Sequence, residues 1–554
     1  MSKVAENKAM NNTENASANT VARPWIALLT RNVREENGCI VASGRCLVRM
    51  LHSKELIDTD RIHIDVPVKQ DAVKITFGSR YGIPAVKGRL NTYRMEIDIE
   101  AARELDIQNK LLVRYRDCEE GWVVYDYFDR RRGRNKNSKL FIHDGVTMYF
   151  RQNIHNRVFL TVRDTNRYDS PEEQKRLTRA KKNAKKLKDK DIVLLYEKMC
   201  RKYEESASVL YEKLIDAGYD NVYFIVDKSI PSVQDLPEKY RKNLIDKDSD
   251  KHLEYFFASD KFISTETIDH ALQLRIANKD VLDKVNTEPL TYIFLQHGPS
   301  YMVSFGSDLR NGFRKKSWYK LHKTVVSSEL EAQHFIERAG MQREDLYITG
   351  MAKFDRCTRN DDADRIIIMP TWRRWETNEA REDIRQTNYY KMICRMFNAV
   401  PEDLRDKVII LPHPLMAERF AGGVDETLDA EIGKRLLLAD NYDKVLRECD
   451  TLITDYSSIS YDAFYRGAKV IFCWEEKDEC MTHYGEGTRL MLTEELAFGP
   501  VTMNDEERRK AIEETYGKPQ KQEYIDNYRQ IIEFHDGKNS ERIIQHLIKD
   551  GVIS

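Results

Sequence analysis

The pattern of hydrophobic and polar positions changes along the chain and divides it into regions. Residues 1–22 are polar with few large apolar side chains, which is typical of a disordered tail. Residues 23–165 contain short runs of β-branched and aromatic residues separated by Gly, Asn and Asp, so they predict a β-rich accessory domain. The predicted strands are Val73–Phe77, Tyr93–Ile99, Leu111–Tyr115, Trp122–Tyr127 and Arg157–Val162. Residues 166–190 predict a basic helical linker, because Ser170–Pro171–Glu172–Glu173 is a capping box with Pro at the first helical position.

From residue 191 onward, short apolar runs alternate with helical patterns. The apolar runs are Ile192–Tyr196, Val222–Val226, Lys261–Ser264, Leu290–Leu295, Thr324–Val326 and Leu346–Ile348, and a second series begins at Arg365. Short buried strands interleaved with helices predict parallel sheets, and the two series predict consecutive α/β domains at residues 191–355 and 356–554. Ligands of such domains bind at the carboxyl ends of the strands, so we expect a site in the cleft between the two domains.

The overall charge balance argues against a nucleic-acid partner. The chain has 554 residues, with 90 Lys and Arg against 91 Asp and Glu, so only local charge could attract a polyanion. One polar loop of the β-rich region concentrates cations at Arg130, Arg131, Arg132, Arg134, Lys136 and Lys139. That loop and the basic linker are either solvated surfaces or points of peripheral contact with an anionic membrane.

Cysteine usage and hydropathy predict a protein on the cytoplasmic side of the plasma membrane. The nine cysteines are unpatterned and contain no C-x-x-C pair, which fits a reducing compartment. The start of the chain lacks the apolar segment of a signal peptide, and no apolar run approaches the roughly 18 residues of a membrane span. We therefore expect a cytoplasmic protein, peripheral on the inner face of the membrane.

Four polar clusters each follow directly on a predicted strand. They are Gln296–His297–Gly298–Pro299, Thr371–Trp372–Arg373–Arg374, His413–Pro414 and the turn from Thr454 to Ser458. One histidine can remove a proton from a hydroxyl, a second can neutralise phosphate charge, and a hydroxyl-rich helix start can hold a diphosphate. The alternative for each cluster is structural, since Ser and Thr are ordinary helix caps and strand-end histidines often only form hydrogen bonds.

Taken together and in this order, the motifs around these clusters are specific enough to indicate a protein family. IFLQHG, IIIMPTWRR, VIILPHP and TLITDYSSISYDAFYRGAKVIF together resemble the CDP-glycerol glycerophosphotransferase family, which builds teichoic acid and related poly(alditol-phosphate) polymers in bacteria. ITGMAKFDR, with Gly350, Phe354, Asp355 and Arg356, and the downstream segments FGP and DGKNSERI extend the likeness over residues 191–548. The resemblance implies a GT-B-like pair of Rossmann-like domains and a direct displacement at phosphorus in which CMP leaves.

The resemblance also implies roles for individual residues. His297 matches the family histidine that acts as base, and His413 matches the second essential histidine, near the donor phosphates. The residues expected to bind the substrate are Arg373, Thr454, Asp455, Ser457 and Ser458. Of these, Arg373 is assigned to phosphate, and Asp455 is expected to be an orienting or structural residue. No metal site is predicted, and no cofactor is required, although Mg²⁺ could assist at a diphosphate.

The chain departs from the family pattern in the loop HGPSYMVSFGS, where Pro299 replaces a threonine and a lysine is absent. Basic residues follow instead at Arg310, Arg314, Lys315 and Lys316. The donor, CDP-glycerol or CDP-ribitol, and the acceptor, a polymer or a lipid-linked glycan, therefore stay open.

Two other functions remain open beside alditol-phosphate transfer. One is a nucleotide-sugar glycosyltransferase of the GT-B type in surface polysaccharide synthesis. The other is a catalytically silent subunit that binds a polymer or nucleotide, which the retention of both histidines argues against. No zinc-like ligand spacing, no nucleotide-hydrolase P-loop and no G-x-S-x-G motif is present in the sequence.

Overall fold

The computed structural model describes most of the chain, and the contacts reported below belong to that part. The described residues are 23–51, 62–65, 73–78, 90–103, 105, 112–115, 127–128, 137–152, 158–273, 275–305, 323–413, 416, 420, 430–438, 442–484 and 487–554. The predicted tail, most of the cationic loop (residues 130–136) and the basic residues at 310–316 lie outside them. Within these ranges the cysteines form no disulfide, and no helix is long and apolar enough to cross a bilayer.

The N-terminal region is rich in β-strands, as its runs of β-branched and aromatic residues predicted. Its elements are β1 Arg23–Glu36, β2 Cys39–Leu51, β3 Ile62–Asp65, β4 Val73–Gly78, β5 Leu90–Asp98, α1 Ile99–Arg103, β6 Leu112–Tyr115, β7 Tyr127–Phe128, β8 Phe141–His143, β9 Val146–Gln152 and β10 Val158–Asp164. The main sheet has the order β4-β5-β2-β1-β7, beside a three-stranded sheet β10-β9-β8 and the pair β3-β6. The described strand pairs are antiparallel except for β1 and β7, which pair in parallel, and residues 122–126 of the predicted strand Trp122–Tyr127 lie outside the described residues. A tight turn joins β1 to β2, where Asn37 and Gly38 both have positive φ, as hairpins with the favoured twist require.

A seven-stranded sheet follows. Its elements, with the preceding linker helix, are α2 Pro171–Ala184, β11 Val193–Tyr196, α3 Ser206–Asp216, β12 Val222–Val226, α4 Pro231–Gln234, α5 Glu238–Arg241, β13 Leu244–Asp246, α6 Asp250–Ala258, β14 Lys261–Ser264, α7 Lys279–Thr287, β15 Thr291–Phe294, β16 Lys323–Val326, α8 Glu329–Ala339 and β17 Leu346–Ile348. Every pair of neighbours is parallel, in the order β13-β12-β11-β14-β15-β16-β17. The strand order reverses between β11 and β14, which is where doubly wound sheets bind ligands.

A five-stranded parallel sheet forms the C-terminal part. Its elements are β18 Arg365–Ile368, α9 Thr377–Glu382, α10 Asn388–Asn398, β19 Val408–Ile410, α11 Ala430–Arg435, α12 Tyr442–Arg447, β20 Cys449–Thr454, α13 Ile459–Tyr465, β21 Lys469–Cys473, α14 Lys477–Tyr484, β22 Val501–Thr502, α15 Asp505–Thr515, α16 Gln522–Ile531 and α17 Asn539–Lys549. The order is β19-β18-β20-β21-β22, so the reversal lies between β18 and β20. Ile366 and Ile368 face one core while Ile367 faces the other, because helices cover both faces of the sheet.

The last helix returns to the first parallel sheet. Ile543 and Leu547 of α17 are fully buried in the same core as Val193 of β11. The carboxylate of Asp355 accepts hydrogen bonds from the backbone N–H groups of Asn539 (2.9 Å) and Ser540 (2.7 Å). The sequence-based division assigned all of residues 356–554 to the second sheet, whereas the side chains of α17 belong to the core of the first.

Grouping by contacts gives two compact units with boundaries that differ from the predicted ones. Residues 1–176 form one unit together with residues 276–287, which contain α7, and residues 177–275 and 288–554 form the other. Both parallel sheets therefore lie in one unit. The fold class predicted from the sequence, a pair of parallel α/β sheets with an N-terminal β-rich region, is confirmed.

Candidate active site

A cavity of about 830 Å³ lies at the carboxyl ends of strands from both parallel sheets. Its lining comes from the segments that follow β11, β15, β17, β19 and β20. The polar lining residues include Lys198, Lys202, Glu204, Glu205, His297, Lys353, Arg356, His413, Asp443, Ser457, Ser458, Asp462 and Arg466. Three of the four predicted strand-end clusters therefore meet at this cavity. They contribute His297, His413 and the two serines of the turn after β20.

His297 follows β15 on a strained backbone. Gln296, the residue before it, has φ 59°, a left-handed conformation that costs energy for a residue with a side chain. Gln296 is held there from both ends of its amide, because its Nε2 donates to Val325 O (2.7 Å) and its Oε1 accepts from Ser300 Oγ (2.5 Å). This anchoring fixes the direction in which the chain presents His297 to the cavity.

Glu205 binds the imidazole of His297. The distance from His297 Nδ1 to Glu205 Oε2 is 3.0 Å, and Lys198 Nζ lies 2.8 Å from the other carboxylate oxygen. Burial alone would raise the pKa of Glu205, but the hydrogen bond and charge of His297, with the charge of Lys198, hold this pKa at about 2. Glu205 is therefore ionised at neutral pH and can only accept hydrogen bonds.

The turn that carries Lys198 is unusual. Lys198, Met199 and Cys200 have φ values of 46°, 51° and 58°, three successive left-handed residues with side chains. The turn is fixed by a hydrogen bond from Met199 N to Glu266 Oε2 (2.5 Å) and by another from Asp227 N to Cys200 O (2.8 Å). Strain of this kind persists only where the surroundings impose it, and it is common at functional sites.

A second buried carboxylate, Glu197, supports the same loop. Glu197 accepts hydrogen bonds from the backbone N–H groups of Glu204, Glu205, Ala207 and Ser208, at 2.5, 2.8, 3.1 and 3.1 Å. Burial, together with the nearby charge of Glu205, raises the pKa of Glu197 to about 7. Glu197 thus holds the start of α3, which positions Glu205.

The wall from the second sheet presents hydroxyl groups. Ser457 and Ser458 stand at the start of α13, and within the described structure Ser458 makes no side-chain capping hydrogen bond although it occupies the cap position. A Cβ atom added to Gly298 would lie 3.7 Å from Ser458 Oγ and 3.8 Å from Lys353 Nζ. The loop after β15 and the turn after β20 are therefore close neighbours.

His413 lies in a less polar setting than His297. Its ring stacks on Trp372 with ring centroids 5.9 Å apart, and its backbone N–H donates to Tyr389 Oη (3.0 Å). Burial, with a smaller contribution from the positive charge of Lys198, lowers the pKa of His413 to about 4. The imidazole of His413 is thus neutral at physiological pH.

The three other predicted substrate-binding residues are buried and do not line the cavity. Thr454 Oγ1 donates to Met369 O (2.6 Å), and Asp455 Oδ1 accepts from the backbone N–H (2.9 Å) and hydroxyl (2.5 Å) of Thr371. These bonds tie the end of β20 to the end of β18, and burial raises the pKa of Asp455. The orienting or structural role of Asp455 stays a prediction.

Arg373 is also enclosed. Its side chain is 2% exposed, with Nη2 at 2.5 Å from Glu476 Oε2 and Nη1 at 3.8 Å from Glu376 Oε1. Direct contact with a donor phosphate would require this ion-paired group to reach the cavity surface. Phosphate binding by Arg373 therefore stays a prediction.

Several charged lining residues were not among the sequence candidates. Glu205 and Lys198 lie on the segment that follows β11, so the strand-end rule that found the histidines could also have found them. Lys353, in the ITGMAKFDR segment, forms an ion pair of 2.8 Å with Asp462. No group of three or more His, Cys, Asp or Glu in the described ranges could hold a metal ion.

The fold is a pair of parallel α/β sheets with a polar cavity at the carboxyl ends of their strands, and the family follows from sequence comparison. The model of the family described as CDP-Glycerol:Poly(glycerophosphate) glycerophosphotransferase matches residues 178–549, more than half of the chain. The protein belongs to this family.

Individual relatives are distant. The minor teichoic acid biosynthesis protein GgaB of Bacillus subtilis (strain 168) is 23% identical in an alignment of 304 positions that covers 50% of this chain and 31% of GgaB. The match therefore spans about a third of that relative. The structure of the wall teichoic acid polymerase TagF is similar at 15% identity and TM-score 0.48, over 68% of this chain and 93% of that one. A UDP-GlcNAc 2-epimerase from Methanocaldococcus jannaschii gives 13% identity and TM-score 0.38, over 65% and 99%.

Proposed function

We propose that this protein transfers an alditol-phosphate group from a CDP-alditol, CDP-glycerol first among them, to a hydroxyl of a teichoic acid-type polymer or a lipid-linked glycan, and releases CMP. Family membership supports the donor class. The observation that carries the proposal is the meeting of His297, His413, Ser457 and Ser458 on one cavity, although their motifs are far apart in the sequence.

The reaction is a direct displacement at the phosphorus that bears the alditol. The acceptor oxygen forms a bond to this phosphorus, the bond to the oxygen of CMP breaks, and the hydroxyl proton passes to His297. The ring of His297 is 48% exposed and lines the cavity, so an acceptor hydroxyl can reach it. A positioned imidazole base of this kind contributes roughly 10²- to 10⁴-fold to the rate.

The second wall holds the donor. The hydroxyl groups of Ser457 and Ser458 are suited to donate hydrogen bonds to diphosphate oxygens, and such bonds to charged acceptors are stronger than neutral ones. A neutral His413 also has an N–H group to donate, and the ammonium groups of Lys198 and Lys353 add positive charge from the first-sheet side of the cavity. These groups together stabilise negative charge as it moves onto CMP.

The buried groups behind this wall keep the turn rigid. Thr454 and Asp455 connect β20 to β18, so they hold Ser457 and Ser458 in place without touching the donor themselves. We assign Arg373 to the same supporting layer through its ion pair with Glu476. A preorganised turn loses little conformational freedom when the diphosphate binds.

The acceptor and its location belong to the proposal as well. A lipid-linked acceptor would bring the enzyme to the inner face of the plasma membrane as a peripheral protein, with an anionic surface for its basic segments. Polymerisation of many units and addition of a single unit are both compatible with the site.

The test is CMP release by the purified full-length protein with CDP-glycerol, CDP-ribitol, UDP-glucose and CMP-sialic acid. Each donor is supplied with and without a lipid-linked glycan acceptor. We expect acceptor-dependent CMP from a CDP-alditol alone. Release of UDP, or of CMP from the sugar donor alone, would move the protein to the nucleotide-sugar glycosyltransferases.

A further inference from the structure

Glu205 stands at the N-cap of a helix, but a different residue accepts the hydrogen bonds that an N-cap side chain usually accepts. Glu205 is the N-cap of α3, where a carboxylate ordinarily accepts a hydrogen bond from the first turn of the helix. In the described structure Glu205 makes no such bond, because Glu197 accepts from Ala207 N and Ser208 N instead. The carboxylate of Glu205 is thereby available for contacts on the cavity side.

Both oxygens of Glu205 are used on that side. One oxygen binds His297 Nδ1 at 3.0 Å and the other binds Lys198 Nζ at 2.8 Å, while the side chain of Glu205 is only 13% exposed. His297 and Glu205 are 92 positions apart in the sequence, so the pair exists only because β11 and β15, on either side of β14, end at the same edge of one parallel sheet.

The ionised carboxylate decides where the proton of a neutral His297 resides. A carboxylate that only accepts hydrogen bonds requires the proton on Nδ1, which leaves the lone pair on Nε2. This is the arrangement in which an imidazole can act as a base, with a third group orienting the base itself.

We propose that Glu205 is the positioning carboxylate of His297: it fixes the tautomer, orients the ring and stabilises the imidazolium that forms during transfer. This inference rests on the proposed function of the site. The acceptor proton moves from oxygen to Nε2 as the new phosphorus–oxygen bond forms and the bond to CMP breaks. Glu205 stays ionised throughout and takes no proton, and the imidazolium later returns its proton to water.

A purely structural ion pair with Lys198 makes different predictions from a positioning role. If Glu205 only held the loop through Lys198, its loss would lower stability or donor binding irrespective of His297. If Glu205 acts through His297, its loss affects turnover and has no further effect once His297 is absent.

The first experiment uses the full-length protein with Glu205→Gln, His297→Ala and the double variant. We expect Glu205→Gln to lower kcat by about 10²-fold with donor affinity unchanged within about threefold, because an amide keeps the shape and removes the charge. The double variant should be no slower than His297→Ala alone. Additive losses, or a wild-type rate in Glu205→Gln, would overturn the proposal.

Two further variants keep the result interpretable. Glu205→Asp retains the charge on a shorter side chain and should recover part of the lost turnover, which also tests the proposal if Glu205→Gln folds poorly. Glu35→Gln breaks a carboxylate–histidine contact of the N-terminal region, that of Glu35 with His143 at 3.3 Å, and should leave turnover at the wild-type value.

A second readout does not depend on activity. In protein labelled with ¹⁵N-histidine, the ring signals of His297, identified by their loss in His297→Ala, should show a proton on Nδ1 in the wild type. Glu205→Gln should shift the ring toward the other tautomer, since an amide can donate to Nδ1. An unchanged tautomer would overturn the inference even with an active enzyme, whereas a wild type that releases no CMP while the tautomer shifts would overturn only the proposed function.

Discussion

The two walls of the cavity are built from different kinds of groups. The wall from the first sheet presents Lys198, Glu205 and His297, with the carboxylate of Glu205 in contact with each of the other two. The wall from the second sheet presents hydroxyl groups and a neutral imidazole beside the charged residues Asp443, Asp462 and Arg466, whereas Arg373 lies buried behind it. The same strand-end geometry has thus produced one wall suited to move a proton and another suited to hold an anion.

The two histidines show this difference most clearly. A carboxylate that is held ionised binds His297, so a positive charge formed on that ring would be stabilised. His413 instead packs on Trp372, and burial lowers its pKa to about 4. We therefore assign proton transfer to the first wall and donor binding to the second.

The largest effect is expected from the first wall. His297→Ala should lower turnover by about 10³-fold and leave CDP-glycerol affinity within about threefold, because a base acts mainly in the transition state. CMP release and calorimetric titration of the donor measure the two quantities. His143→Ala, which removes an exposed histidine of the N-terminal region, should keep the wild-type rate. A loss of donor affinity in His297→Ala that matches its loss of turnover would contradict the assignment of proton transfer and donor binding to different walls.

The supporting layer of the second wall should act on stability. Arg373→Met should lower the free energy of unfolding by about 3 kcal/mol, since it removes the buried guanidinium that lies between Glu476 and Glu376. Urea unfolding measures this change. Arg395→Met, which removes a partly exposed partner of the same Glu476, should cost less than about 1 kcal/mol. A large loss of donor affinity in Arg373→Met without loss of stability would instead support direct phosphate binding.

The hydroxyl groups of the second wall should act on donor binding. The double variant Ser457→Ala/Ser458→Ala should weaken CDP-glycerol binding by at least about tenfold, the value of one hydrogen bond to a charged group. Its thermal midpoint should not change, because Ser458 does not cap its helix. Ser328→Ala removes a true cap of α8, because the Ser328 hydroxyl accepts a hydrogen bond from Glu331 N at 3.2 Å. This variant should lower the thermal midpoint and leave CDP-glycerol affinity unchanged. Unchanged donor affinity would show that the serine turn is only a helix start.

The smallest effect concerns pH. Since the pKa of His413 falls from 6.5 to about 4 on folding, the unfolded chain binds the additional proton between these values. Stability from this group is complete above the unfolded pKa and is lost as pH falls toward 4, with a slope of at most about 1.4 kcal/mol per pH unit.

Urea unfolding at about pH 4.5 and about pH 6.5 should therefore show a shallower pH dependence in His413→Gln than in the wild type. His334→Gln serves as a comparison, because burial lowers the pKa of His334 to about 4 as well. Identical slopes in His413→Gln and wild type would mean that His413 is not held neutral.

The periodicity of the sequence predicted the sheets well and their helical surroundings less well. Continuous apolar runs such as Arg365–Ile368 identify parallel strands because both faces of the sheet are buried. The return of α17 to the first sheet left no such signal. Its amphipathic pattern indicates that one face of the helix is buried, but it does not indicate which sheet that face packs against. The close approach of Gly350 to Asn539, where a Cβ would lie 2.2 Å from Asn539 Oδ1, becomes visible only in the folded chain.

The site was predictable where strand ends and motifs coincide. His297, His413, Ser457 and Ser458 were all named from the sequence, and all line one cavity. Glu205 was missed because its partner is distant in sequence and because a glutamate at a helix start is ordinarily a cap. The burial of Arg373 was not predictable either, since a basic residue after a strand looks the same whether its counter-ion is a ligand or a buried glutamate.

The division of work between the walls is tested most directly by turnover at saturating donor. Full CDP-glycerol titrations of acceptor-dependent CMP release would be run for the wild type, His297→Ala and Ser457→Ala/Ser458→Ala. We predict that the serine variant recovers the wild-type rate once the donor is saturating, whereas His297→Ala stays slow at every donor concentration. Rescue of His297→Ala by added donor, or a serine variant that remains slow at saturation, would contradict the assignment of proton transfer to one wall and donor binding to the other.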